Sequence, residues 1–392
     1  MRSIVAWVAA LLLTSVLPAS PPPTRAEVEA AMGLASDGDA LRGQLDTVGF
    51  VVGQEQAEDV WKAAVATERA SLAAQDQRLG MTAEGGFVGG ICPHDDHLYA
   101  APVYVHLTQR ITAPRVILLG VFHKARPWDL EGKLVFDSFP RWHGPWSAVE
   151  VDPLRQELLA ALDPESVVVS NAMHCHEHSL EAIVPFLQAR NREVRIVPIL
   201  VPYLDWPQVE RLSGELATAL ASALARHGWQ LGRDVAVVVS SDAVHYGEDF
   251  DHTPFGTDAH AYLRAINRES FLIRRYLEGP LQSDRARGLL HELVDPEDLR
   301  SYRVPWCGRF VIPFGLELLR RTAELSGAPT PVGYLLRYGT SLSEPQLAAS
   351  AATRKAGLGT TAPSNLHHWV GYAAIGFLIP GSPDSEAPAA PE

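Results

Sequence analysis

The chain holds only three cysteines, Cys92, Cys175 and Cys307, in 392 residues. That is too few for a disulfide scaffold, so an apolar core must hold the fold together. In an oxidising compartment one pair can bridge, and whether Cys92 and Cys175 do so stays open. The odd thiol left over needs a reason to persist, and metal ligation is one. Positive charge is also scarce: 33 Lys and Arg stand against 46 Asp and Glu, a formal charge of −13. With no dense basic patch, nucleic acid and anionic membrane surfaces are excluded as partners. No Gly-x-Gly-x-x-Gly follows a strand, and there is no phosphate-loop Gly-Lys-Ser/Thr, Gly-x-Ser-x-Gly, His-Glu-x-x-His or Cys-x-x-Cys. Nucleotide-binding, serine-hydrolase and thioredoxin chemistries therefore have no footing.

One apolar run is long enough to carry a message. Ile4 to Leu13 follows Met1-Arg2-Ser3 and precedes small residues and Pro21-Pro22-Pro23, the plan of a secretory signal peptide. It is shorter than the ~20 residues a spanning helix needs. We expect a signal over residues 1–26, cleaved near Ala19 or Ala26, and export to the periplasm or beyond with no stable membrane span left after cleavage. Residues 27–80 have apolar residues at three- and four-residue intervals, which predicts a helical extension. Residues 381–392, rich in Pro, Ala and acids, read as a disordered tail.

Between them, residues 81–380 read as one α/β domain. Apolar runs at Gly86–Ile91, Val116–Leu119, Val167–Val169, Val194–Val201 and Val235–Val239 alternate with helical patterns. The helices are expected at Leu98–Arg110, His178–Arg190, Trp206–His227, Ala259–Leu277 and Arg309–Leu325, with closing strands at Val332–Arg337 and Trp369–Leu378. Continuous apolar strands separated by helices imply a mostly parallel or mixed sheet covered on both faces.

Three of those runs end on a histidine: Cys92-Pro93-His94, Val121-Phe122-His123 and Asp242-Ala243-Val244-His245. Ligands of open α/β sheets bind beyond the strands' C-terminal ends, so these three can converge on one metal ion. Cys307 is a fourth ligand candidate. Gly308 beside it permits close backbone approach, and the helix expected to start there would lower the thiol's pKa. Imidazole suits zinc, copper and iron alike.

The motifs Pro93-His94, Gly120-Val121-Phe122-His123, Glu177-His178-Ser179-Leu180-Glu181, Ile196 to Val201, Val239 to Gly247 and Cys307-Gly308-Arg309 stand in the order and approximate spacing of the Memo-like family, the AmmeMemoRadiSam system protein B group. The resemblance covers residues 85–378 and implies the three-layer αβα fold of class III extradiol dioxygenases. Carried over, His94 and His123 resemble the metal-binding histidines and Cys307 the cysteine ligand. His245, a further candidate ligand, resembles the pocket histidine opposite them. Asp242 and His178 resemble pocket residues and join His245 as catalytic candidates. The chain departs from the family's usual Pro-His-Ala-Gly-Tyr with Pro93-His94-Asp95-Asp96-His97, which adds acidic groups and a histidine to the pocket wall or the ligand set. It also has Phe122-His123-Lys124 where the family usually has Ser before a His pair.

The implied activity is a non-heme iron oxidoreductase opening a small aromatic, with His245 moving the substrate's proton. A thiolate ligand is softer than a carboxylate and shifts preference toward copper or zinc. The alternatives are thus a copper- or iron-binding protein without turnover outside the cytoplasm, and a zinc hydrolase using His245 or Asp242 as base. His174, His176 and His178 would share a face if their segment were extended, as a second metal cluster. Trp142, Trp146, Tyr246 and Trp306 are candidate walls for an aromatic substrate. Beyond a small-molecule substrate or metal ion, no protein partner is legible.

Overall fold

The computed structural model describes residues 40–82, 85–343 and 345–381. The expected signal peptide, residues 27–39 of the expected helical extension and the C-terminal tail beyond Gly381 lie outside the described residues. Within them, the most apolar runs form the centre of a ten-stranded mixed sheet. The strands are β1 (Gly89–Cys92), β2 (Arg115–Val121), β3 (Leu134–Phe136), β4 (Val167–Val169), β5 (Arg195–Val201), β6 (Val235–Ser240), β7 (His245–Gly247), β8 (Gly279–Pro280), β9 (Val332–Thr340) and β10 (His368–Leu378). Their order is β8-β9-β10-β1-β6-β2-β5-β3-β4, with β7 pairing β10. Strands β1, β6, β2 and β5 run parallel, while β8, β9 and β10 add antiparallel pairs on one side.

The parallel strands lack polar alternation because both their faces are covered. Val235, Val237 and Val239 of β6 enter one core, and Ala236 and Val238 enter the other. The first core is closed by α4 (Leu154–Ala161), α7 (Trp206–His227), α8 (Ala259–Tyr276), α9 (Ser283–Leu293) and α10 (Val311–Leu325). The second is closed by α1 (Gln54–Thr67), α3 (His97–Thr108) and α6 (Val184–Arg190), and α2 (Arg69–Arg78) adds Leu72 to it. This is the three-layer αβα arrangement the sequence implied.

Helix α7 has the bounds its sequence announces. The Asp205 carboxylate accepts the Gln208 N–H at 2.8 Å, Gln208 Oε1 accepts the Asp205 N–H at 2.9 Å, and Gly228 closes the helix at φ +66°. The expected helix from His178 begins only at Val184. Glu177 Oε1 accepts the N–H groups of His178 and Ser179 at 2.9 and 2.8 Å, which winds the chain around a carboxylate instead of into a helix. The segment expected to be extended is α5 (Asn171–Cys175), a short helix capped by Ser170. His174, His176 and His178 therefore do not share a strand face.

Candidate metal centre

The C-terminal ends of the adjacent strands β1, β6 and β2 open on one crevice, and the candidate residues follow them directly. His94 stands two residues beyond β1, His123 two beyond β2, and Asp242 and His245 follow β6. Cys307 approaches from the loop before α10. The approach is close: a Cβ on Gly308 would lie 2.2 Å from Ser241 Oγ, and the Gly308 N–H donates to that oxygen at 2.9 Å. Only glycine lets the cysteine reach the strand end.

His94, His123 and Cys307 each offer a ligand atom, and these atoms lie within 4.8 Å of one another. Asp242, His245 and Cys307 form an overlapping group under the same limit, as do His123, Glu177 and His178. The Cys307 sulfur is 3.5 Å from His123 Nε2 and 3.5 Å from His245 Nε2. His123 and His178 stack with centroids 4.8 Å apart.

Hydrogen bonds on the far side of each ring set the tautomers a metal needs. Ser240 Oγ donates to the Ser179 carbonyl at 2.6 Å, so it accepts from His94 Nδ1 at 2.9 Å and leaves Nε2 as the lone-pair nitrogen. Glu177 Oε1 accepts from His123 Nδ1 at 2.9 Å, again leaving Nε2 toward Cys307. Two imidazoles with oriented Nε2 atoms and one thiol make a donor set that fits a transition metal.

Burial drives His94 well below its usual range, aided by the neighbouring histidines. Burial would also lower His123, but the Glu177 carboxylate and Cys307 outweigh it and raise the ring to about 10. Burial raises the Cys307 thiol, with His123 opposing. The helix-terminus effect expected to lower it does not prevail: α10 begins at Val311, four residues on. A metal cation would displace the His123 and Cys307 protons, since ligation requires both groups deprotonated. Burial and Asp95 raise the Asp242 carboxyl, which accepts the His94 N–H at 2.9 Å.

The site faces a pocket of about 380 Å³ that His94, His123, His178, Asp242, His245 and Cys307 line. Phe50 and Phe250 supply its aromatic walls together with Tyr302. The four expected aromatics do not line it. Trp142 and Trp306 are buried and donate to Asp137 and Glu269 at 2.7 and 2.9 Å. Trp146 packs under Arg192, and Tyr246 faces a different cavity.

A family model described as Memo-like protein matches residues 82–351, well over half of the chain. The chain belongs to the Memo-like family. It is 27% identical over 267 residues to a MEMO1 family protein of Thermococcus kodakarensis, covering 64% of this chain and 79% of that one. It is 32% identical over 165 residues to a MEMO1 family protein of Methanosarcina barkeri, covering 42% and 56%. A MEMO1 family protein of Methanothermobacter thermautotrophicus is 29% identical over 160 residues, covering 40% and 54%. The chain thus spans little over half the length of two of these three relatives.

In this Memo-like protein two of the three residues that depart from the family pattern after His94 join the pocket wall, and the third does not. Asp95 Oδ2 accepts from the Tyr372 hydroxyl at 2.5 Å, and Asp96 accepts the Thr361 N–H at 2.6 Å. Asp95 and Asp96 line the pocket, whereas His97 is buried between the Val51 N–H and the Ala182 carbonyl. His174 is likewise a core residue, 3.1 Å from the Val135 carbonyl. Among the described residues, neither His174 nor His176 belongs to a metal-capable group. Sequence reasoning missed Glu177, Ser240, Asp46 and Phe50. Glu177 lay inside a quoted motif, and an acid beside a candidate pocket histidine was its only signal. Asp46 and Phe50 precede the family-matched segment and carried no signal.

Proposed function

We propose that this Memo-like protein is an exported, metal-dependent oxidoreductase that takes iron or copper at His94, His123 and Cys307 and acts on a small aromatic compound. The observation that carries the reading is the clustering of those three ligand atoms within 4.8 Å at the strand ends, beside a pocket with aromatic walls. Bound there, the metal would supply Lewis-acid and redox chemistry. His245 is placed across Cys307 from His123 and opens into the same pocket, so it can take the proton of a phenolic hydroxyl. Phe50 and Phe250 orient the ring and exclude water. Export rests on the leader-like run Ile4 to Leu13.

The thiol favours a second reading, copper held without turnover. Cys307 lies between two imidazoles at 3.5 Å, and soft thiolate with imidazole suits copper. Metal analysis of the wild type beside His94→Ala and Cys307→Ala, followed by a catechol panel on anaerobically iron-loaded protein exposed to oxygen, separates the readings. Ring-opening supports the oxidoreductase. Tight copper binding lost in Cys307→Ala, with no turnover, supports the carrier. Hydrolysis that survives removal of oxygen would replace both with a zinc hydrolase.

A further inference from the structure

Behind the metal pocket lies a larger cavity of about 570 Å³, between α8, α9 and the segment after β7. The two cavities share a wall of two short stretches. In the first, His245 faces the metal pocket while its neighbours Val244 and Tyr246 face the rear cavity. Alternation along an extended chain produces this division. In the second, Pro305 and Cys307 face the metal pocket while Arg303 and Val304 face the rear one.

The stretches are tied to each other. The His245 N–H donates to the Pro305 carbonyl at 3.1 Å, and Val244 bridges Trp306. The buried Glu269 clamps both, its two oxygens accepting the Trp306 indole N–H at 2.9 Å and the Val244 N–H at 3.0 Å.

The lining of the rear cavity gives the chemistry of an occupant. Tyr246, Phe255 and Tyr276 are aromatic, and Val304 is apolar. Of the two arginines, Arg268 is already paired with Glu292. Arg303 is half exposed; its Nη1 donates to the His291 carbonyl at 3.2 Å, and its one carboxylate contact, to Asp295, is long at 3.9 Å, so its charge is the less neutralised of the two. The carboxylates that also line it are committed, Glu269 to Trp306 and Val244 and Glu292 to Arg268 and Tyr276. A concave, partly aromatic chamber with Arg303 at its edge suits a ligand with an aromatic body and a single anionic group.

We propose that the rear cavity is a second binding site, for a small aromatic carboxylate, whose occupant bears on His245 and Cys307 through the shared wall. This site is separate from the metal centre and does not depend on the activity assigned there.

Benzoate titrated calorimetrically into the full-length protein tests it. Saturable binding is expected in the wild type and in His94→Ala. Affinity should fall by about tenfold in Arg303→Gln, a rim substitution that leaves the core intact, and in Val304→Trp, which fills the chamber. Absence of binding, binding unchanged in Arg303→Gln, or binding lost in His94→Ala would overturn the site. By linkage, benzoate should also change the apparent metal Kd, by about threefold or more, in the wild type and not in Arg303→Gln. Equal metal affinity with and without benzoate would overturn the coupling.

Discussion

The buried Glu177 carboxylate holds His123 twice, accepting its backbone N–H at 2.7 Å and its Nδ1–H at 2.9 Å. The same group accepts from His178 and Ser179, so one side chain fixes the ligand's tautomer, its ring plane and the loop beside it. Glu177→Gln replaces one acceptor oxygen with a donor that faces other donors. Metal affinity is expected to fall about 10- to 100-fold, read by competition with a chromophoric chelator. Unchanged affinity in a folded variant would show that His123 needs no such support.

Gly308 makes the second prediction. In Gly308→Ala the new Cβ meets Ser241 Oγ and Cβ at 2.2 and 2.5 Å, and Ser241 directly follows the central strand β6. The loop must retreat and carry Cys307 with it. We expect a stability loss of about 1–3 kcal/mol in urea unfolding and a loss of bound metal comparable to that in Cys307→Ala. Full metal occupancy would show that the cysteine tolerates the shift.

The parts legible in sequence were those decided locally. The helical pattern over Trp206–His227 announces α7, and the valines of β6 announce a strand covered on both faces. The histidines at strand ends were legible because topology brings those ends together. What escaped depends on distant partners. Nothing local to Glu177 names His123, 54 positions away, as its partner. The aromatics were misplaced for the same reason: burial by tertiary packing, not residue type, put Trp142 and Trp306 in the core and Phe50 in the pocket. Short elements such as β3, with three residues, and α4, with eight, are held by their neighbours and carry too few periods to read.

The strap before α1 rests on Arg42. This residue is 1% exposed, pairs with buried Glu181, donates to the His174 carbonyl at 2.9 Å and lies 4.4 Å from the Trp142 ring. The Leu45 and Asp46 N–H groups bond the same Glu181, which leads the chain to Asp46 and Phe50 at the pocket. Arg42→Ala leaves the Glu181 carboxylate buried without its cation. The expected cost is about 3–5 kcal/mol in urea unfolding. Retained stability would mean that the strap is not anchored by this pair.

Acid sensitivity is expected from a cluster outside the metal pocket. Glu68 Oε2 faces His106 Nε2 at 3.0 Å, the Ser71 hydroxyl at 2.6 Å and Arg337 Nε at 3.2 Å. Burial would raise the Glu68 carboxyl, but His106, Ser71 and Arg337 outweigh it and lower it to about 2 from the ordinary 4.5. The folded protein therefore binds this proton less readily than the unfolded chain. The stabilisation is complete above pH 4.5 and drains away as the pH falls toward 2. Glu68→Gln should be less stable than the wild type by about 1–3 kcal/mol at neutral pH, with the difference shrinking below pH 4.5. Urea midpoints of both proteins across that range check it. A difference that stays constant from pH 7 to pH 3 would show that the loss comes from packing rather than from the carboxylate's charge.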